Sequence, residues 1–220
     1  MNETMNILAI DVAVRDIQVG LLATDTAQDR QESDFFYAHI ETERGQAEQL
    51  VPAMADILGH AGLSPKSLNL IAVTRGPGSF TGVRIGLATA RSFAMALDIE
   101  AVGFSTLELI LGAEQQATQS KHHVAAAISE PILALIDTKR GDYYGLSSDM
   151  VLNQQNARIF TPEEVEDWRN KISGKIICAA LPPLEHMARL AASLKTTDHR
   201  HYPPTPIYIR EAEIHQKTLP

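Results

Sequence analysis

Arg75-Gly76-Pro77-Gly78-Ser79-Phe80-Thr81-Gly82-Val83-Arg84-Ile85-Gly86 is a glycine-rich turn between an apolar run and a long helical pattern. Before it, Leu70-Ile71-Ala72-Val73 reads as a buried strand; after it, Val83, Leu87, Ala90, Ala94 and Leu97 recur at helical intervals. The loop thus joins a strand to a helix N-terminus, where nucleotide loops sit because free backbone N–H groups there receive phosphate. Its spacing fits none of the patterns tested. A P-loop needs Lys and then Ser or Thr directly after its last glycine, and here Val83 and Arg84 follow Gly82. Gly76, Gly78 and Gly82 miss the G-x-G-x-x-G dinucleotide fingerprint by one residue. A nucleophile elbow would flank Ser79 with glycines two residues away, where Pro77 and Thr81 stand. These tests leave a tight turn and a helix start, with Ser79 or Thr81 as N-cap.

The chain has 220 residues, 45% hydrophobic and 21% charged, enough for one large domain or two small ones with a real core. Its net charge of −8 argues against independent binding to tRNA, DNA or an anionic membrane, so a nucleic-acid role needs a basic partner. The single cysteine, Cys178, excludes an intramolecular disulfide, and its setting in Ile176-Ile177-Cys178-Ala179-Ala180 predicts a buried strand thiol. Residues 1–10 lack the features of a signal peptide, and no apolar run approaches the roughly 18–20 residues of a membrane helix. A cytoplasmic location and no membrane contact are expected.

Ile7–Asp11 and the alternating Ile17, Val19 and Leu21 predict an antiparallel hairpin across Val14-Arg15-Asp16, and Phe35–Ile40 a third strand. Ala47, Leu50, Val51, Met54, Ile57 and Leu58 form one apolar face of a helix between Glu43 and His60, in which Pro52 predicts a kink or broken turn. A fourth strand (Asn69–Thr74) leads into the glycine loop and its helix, Thr81 to Leu97. A fifth strand covers Glu100–Gly103, and Ser105 with Glu108 matches a capping box for the next helix. The polar stretch Glu114–His123 is the best boundary region. Beyond it, Ile132–Ile136 and Asp142–Ser147 read as a hairpin, Thr161-Pro162-Glu163-Glu164 as a helix start, and Ile176–Ala180 as a strand. Leu184–Leu194 is amphipathic, and Tyr202-Pro203-Pro204-Thr205-Pro206 is extended by its prolines.

Met5–Asp11, Gly76–Gly86, Ser105–Glu108, Ile136–Tyr144 and Pro206–Arg210 together resemble the TsaB (YeaZ) family, over nearly the whole chain and with its start at Met5. The resemblance implies an α/β fold of the actin, Hsp70 and sugar-kinase (ASKHA) type with two lobes, the second reduced, divided here as residues 1–108 and 109–220. It implies a non-catalytic subunit of the machinery that makes threonylcarbamoyladenosine at position 37 of tRNA. Such a subunit binds and activates the catalytic paralogue TsaD, works with the ATPase TsaE, meets tRNA only through the complex, and pairs with itself when TsaD is absent. The name glycoprotease, or M22 peptidase, also attaches to this superfamily, but these residues offer neither a metal pair nor a nucleophile triad.

The residues can be weighed against that role. The resemblance implies that the catalytic paralogue holds its metal with two histidines four apart on one face of a helix, and none of His39, His60, His122, His123, His186, His199, His201 and His215 is so placed; no metal site of that design is expected. Val12 follows the first-strand Asp11, where kinases of this fold carry Thr, Ser or Gly, and Cys178-Ala179-Ala180-Leu181-Pro182-Pro183 offers no glycine for a nucleotide turn. No tightly bound cofactor is expected, with ATP or ADP only at a partner interface. Asp11, Arg75, Gly76, Gly78, Ser79, Thr81 and Arg84 are the candidates for vestigial or interfacial nucleotide contacts. The alternative from another class is an ATP-dependent small-molecule kinase with Asp11 and the Gly76–Thr81 loop on phosphate.

Gly82, Gly86, Ala90 and Ala94 are spaced by four and line one side of their helix with almost no side-chain volume. Two glycines on a helix face suggest that another backbone approaches closely, from the chain's own sheet or first helix, or from a partner. The resemblance favours a partner, and the expected interface is Gln46, Leu50 and Met54 on the first helix with Gly82, Val83, Gly86, Leu87, Ala90, Phe93 and Ala94 on the second. Arg75, Arg84 and Arg91 are expected to gather on one side of the loop and helix.

Overall fold

The structure, a computed structural model, describes residues 5–14, 16–23, 34–42, 44–122, 130–152, 156–172, 174–179 and 181–210. The expected extension before Met5, Arg15 of the first turn, Glu43, His123, Ala180 and His215 lie outside the described residues.

The first half builds a five-stranded sheet from β1 (Ile7–Asp11), β2 (Ile17–Ala23), β3 (Asp34–Ile40), β4 (Leu70–Thr74) and β5 (Glu100–Phe104), in the order β3-β2-β1-β4-β5. β1 to β3 form an antiparallel meander, and β4 and β5 add in parallel, each after a helix: α1 (Gln46–His60) and α2 (Phe80–Leu97). Strand alternation then assigns two covered faces. Leu8, Ile10, Ile17, Val19, Ile71 and Val73 pack against α1 and α2, while Ile7, Ala9, Leu22, Leu70, Ala72 and Val102 point the other way.

The second half repeats this order with four strands: β8-β7-β6-β9, from β6 (Ile132–Asp137), β7 (Tyr143–Ser147), β8 (Arg158–Phe160) and β9 (Lys175–Cys178). β6 and β7 form the expected hairpin, whose turn uses Lys139 (φ 61) and Gly141 (φ 85) in left-handed backbone. α5 (Pro162–Lys171) starts in a complete capping box: the Thr161 hydroxyl accepts from the Glu164 N–H at 3.2 Å, and Glu164 Oε2 accepts from the Thr161 N–H at 2.9 Å. The short α4 (Ser148–Leu152) and three-residue β8 carry too few residues for any periodic signal.

The remaining helices cross over. α3 (Thr106–His122) leaves the first sheet but puts Leu107, Ile110 and Leu111 into the core of the second. α6 (Leu184–Ser193) follows the second sheet but puts Leu184, Met187, Ala188 and Ala191 onto the first. The division expected at 108/109 falls inside α3, and the polar stretch from Glu114 continues that helix to His122.

Two local expectations change, for α1 and for Cys178, and the end of α2 at Leu97 holds. α1 starts at Gln46, after Gly45 at φ 82, and runs unbroken through Pro52, which lies on the solvent side. Asp98 in left-handed backbone (φ 56) ends α2, its N–H still reaching the Ala94 carbonyl. Cys178 is exposed, because it sits at the last position of β9, an edge strand paired only with β6.

Candidate functional site

The carboxyl end of β1 and the glycine loop after β4 come together where the sequence places them, but they fill each other. Ser79 caps α2, its hydroxyl accepting from the Gly82 N–H at 3.2 Å, which decides between the two N-cap candidates. The Ser79 N–H donates to the Ala13 carbonyl at 2.6 Å. A Cβ on Gly78 would overlap the Ala13 carbonyl oxygen, and one on Gly82 the Val12 carbonyl oxygen. Gly76, at φ 91, accepts from the Thr106 N–H at 2.9 Å. The glycines thus serve a close approach of backbone to backbone.

Asp11 is fully buried beneath this contact. Its Oδ1 accepts from the Thr74 hydroxyl and, at 3.1 Å, from the Ala13 N–H; its Oδ2 accepts from Gln18 Nε2 at 3.2 Å. Gln18 in turn accepts from the Tyr37 hydroxyl at 2.7 Å and donates to the Pro182 carbonyl at 3.5 Å. Burial pushes the Asp11 pKa up, and the bonds from Thr74, Ala13 and Gln18 oppose that shift. Both oxygens are engaged by the chain itself. Gln18, Tyr37 and Thr74 are absent from the sequence-based candidates; the one signal was a polar Gln18 inside an apolar strand.

The small-residue strip faces inward. Gly86 packs on Val12 and Val73, at 3.7 Å from each for an added Cβ, and Val83, Leu87, Ala90 and Ala94 join the core that also holds Leu50 and Met54. Leu50, Met54, Gly82, Val83, Gly86, Leu87, Ala90 and Ala94 are therefore buried within this chain and unavailable to a partner, while Gln46 and Phe93 are half-buried. The two helices instead turn outward Ala47, Val51, Pro52, Ala55 and Gly59 of α1 and Arg84, Ala88, Ser92, Met95 and Ala96 of α2. Met95 is 83% exposed and Val51 43%, the apolar high points of this surface.

The side chains of Arg84 and Arg91 both reach the chain's own C-terminal segment, and Arg75 meets it through its backbone carbonyl. The Ile207 N–H donates to the Arg75 carbonyl at 2.7 Å, Arg91 donates to the Pro204 carbonyl, and Arg84 Nε donates to the Tyr208 hydroxyl at 3.1 Å. The Arg84 guanidinium lies 3.8 Å from the centre of the Phe80 ring, which itself packs against Tyr208 at 5.2 Å. Thr81 is exposed beside them. Among the described residues no group of three or more His, Cys, Asp or Glu is arranged to hold a metal. No described helix is long and apolar enough to cross a membrane.

The family model that matches, over residues 40–168, is that of TsaD, tRNA N6-adenosine threonylcarbamoyltransferase. The tRNA threonylcarbamoyladenosine biosynthesis protein TsaB of Escherichia coli is 30% identical over 177 residues, 78% of this chain and 69% of that protein. The chain belongs to the TsaB family. The Bacillus subtilis TsaB is 30% identical over 140 residues, 64% of this chain but 53% of its own length, so the likeness there spans about half of the relative. Two Pseudomonas aeruginosa structures share the mixed α/β fold at 21% identity. One, described as an uncharacterized protein similar to peptidase YeaZ, has a TM-score of 0.66 and covers 94% of this chain and 100% of that one. The other, YeaZ, has a TM-score of 0.64 and covers 93% and 99%.

Proposed function

We propose that this chain is the non-catalytic partner subunit of the machinery that makes threonylcarbamoyladenosine at position 37 of tRNA, binding TsaD and activating it. The observation that carries the reading is the sequestered Asp11. A fully buried carboxylate that accepts from Thr74, Ala13 and Gln18, under a loop that rests on the chain's own carbonyls, is closed off from a solvent-borne nucleotide or magnesium ion. The two sheets of matching order support an ASKHA-type duplication with a reduced second lobe. In this reading TsaE and tRNA meet the chain within the complex, any ATP or ADP sits at a partner interface, and the same helices pair two copies when TsaD is absent, all in the cytoplasm.

The docking surface is assigned to the outward faces of α1 and α2, around Val51, Ala55, Ala88 and Met95. Small side chains let a partner helix approach closely, and Met95 supplies an adaptable apolar knob. Co-expression with the organism's TsaD, size-exclusion chromatography and a tRNA modification assay test this. Met95→Glu and Ala88→Arg are expected to lose co-elution and modification while far-UV circular dichroism is unchanged; retained co-elution of both variants sinks the assignment. Calorimetry with magnesium-ATP on the isolated chain addresses the kinase alternative, and micromolar binding would favour it.

A further inference from the structure

The C-terminal segment Tyr202–Arg210 is not explained by docking or by the fold of either sheet. It runs as a strap along the edge of the first sheet and across the start of α2. Its first anchor is the Gly103 N–H of β5, which donates to the Tyr202 carbonyl at 2.8 Å. Arg91 then holds the Pro204 carbonyl, the Arg75 carbonyl holds the Ile207 N–H, and the Phe80–Arg84 pair holds the Tyr208 ring and hydroxyl. The last anchor lies on the other sheet: Arg210 pairs with Asp142 at the β6–β7 turn, where Asp142 also accepts from the Thr138 hydroxyl. That pair is about four-fifths buried on each side, so it is better shielded than the surface ion pairs elsewhere in the chain.

The body of the protein is shaped to receive the strap. A Cβ on Gly76 would stand 2.9 Å from the Ile207 carbonyl oxygen, and one on Gly103 2.8 Å from that of Pro203. Two glycines at different points of the chain therefore leave room for the same segment. Conversely, the strap offers little of its own to keep it seated: it has no helix or strand after Tyr202 and few backbone bonds. Segments held by a few end anchors open more readily than the core.

We propose that the strap is a clasp that ties the first turn of α2 to the β6–β7 turn of the second sheet, with Arg210–Asp142 as its releasable latch. Seated, it fixes Phe80 and Arg84 at the N-terminal end of the face assigned to the partner and Arg91 two turns further along the same helix. Unlatched, it frees that end of the helix from the second sheet while leaving the core of the first intact. A change at the β6–β7 turn would then be felt at α2 without any rearrangement of the sheets. The effect on partner binding rests on the docking reading above; the clasp itself does not.

Amide hydrogen exchange by NMR on the full chain tests the clasp directly. Arg210→Ala and Asp142→Asn are each expected to speed exchange at Ile207 at least tenfold, with Ile10 and Val73 unchanged and Arg210→Lys intermediate. Unchanged protection at Ile207, or equal acceleration at Ile10 and Val73, overturns the clasp. Titration with TsaD then tests the coupling. Arg210→Ala is expected to bind at least tenfold more weakly, and wild-type affinity with an opened strap overturns the coupling. Met95→Glu run alongside separates the two readings: its full binding discards the docking surface but leaves the exchange result standing.

Discussion

The two sheets begin alike and end differently at one position. β1 and β6 each finish on an aspartate, each pairs antiparallel with the next strand, and each lies parallel to a later strand that leads to a helix. Asp11 is fully buried, takes bonds from Thr74, Ala13 and Gln18, and is roofed by a loop with two glycines and by Gly82 in the first turn of α2. Asp137 keeps 40% of its side chain in solvent and takes the backbone N–H and the ammonium of Lys139, two residues on, while the stretch after β9 has no glycine. The same topology thus makes a buried keystone in one sheet and a surface turn in the other. What sits above the strand end decides the role of the aspartate, and the strand itself does not.

The largest expected effect comes from adding one carbon to the roof. Gly82→Ala drives a methyl into the Val12 carbonyl and is expected to cost about 3 kcal/mol. Gly141→Ala in the second turn meets no atom within 4 Å and carries only the strain of φ 85, about 1 kcal/mol. Urea midpoints at constant slope measure both, and equal losses would erase the distinction between the turns. Next, Asp11→Ala takes the acceptor from the Thr74 hydroxyl and the Ala13 N–H and leaves Gln18 Nε2 only its 3.5 Å bond to the Pro182 carbonyl, at an expected cost of about 2–3 kcal/mol. Asp137→Ala, at an exposed pair, should cost about 0.5 kcal/mol or less.

The smallest effect is one of sign. Burial raises the Asp11 pKa in the folded state, so its contribution to stability is full below the unfolded value, about 3.9, and is lost as pH rises through the folded one. Asp142 is the reverse: the Thr138 hydroxyl and Arg210 hold its pKa down, so its contribution is present above about 3.9 and fades as pH falls through the folded value. Denaturation series from pH 3 to 7 should therefore show Asp11→Asn gaining on wild type as pH rises, and Asp142→Asn gaining as pH falls. Parallel curves for Asp11→Asn would mean that Asp11 is no more buried in effect than Asp142.

Periodicity and turn chemistry made most elements legible: the β1–β2 hairpin, α2 after the glycine loop, the β6–β7 hairpin and the start of α5 stand where Ile7–Leu21, Val83–Leu97, Lys139–Gly141 and Thr161–Glu164 place them. The direction of the Gly82–Ala94 strip was not legible, because spacing by four defines a face without saying what lies opposite. Only the third dimension puts the Val12 carbonyl against Gly82. For the same reason the sequence hides Gln18 and Tyr37 as partners of Asp11, and hides the strap, whose prolines signal extension but not the groove that Gly76 and Gly103 open for it. Cys178 misled because an apolar neighbourhood reads as burial, even at the end of an edge strand.

The exchange of helices between the sheets has a consequence for how the chain is made. Ribosomes deliver about 5–20 residues per second, and domains ordinarily fold as soon as their core is complete. Here Ile7, Ala9, Leu70 and Ala72 wait for Leu184, Met187 and Ala188 of α6, which emerge more than a hundred residues after β4. One side of the first sheet is therefore born uncovered and stays so through most of synthesis. Truncation anywhere before α6 is therefore expected to leave that apolar face open, as an adhesive surface rather than half a protein.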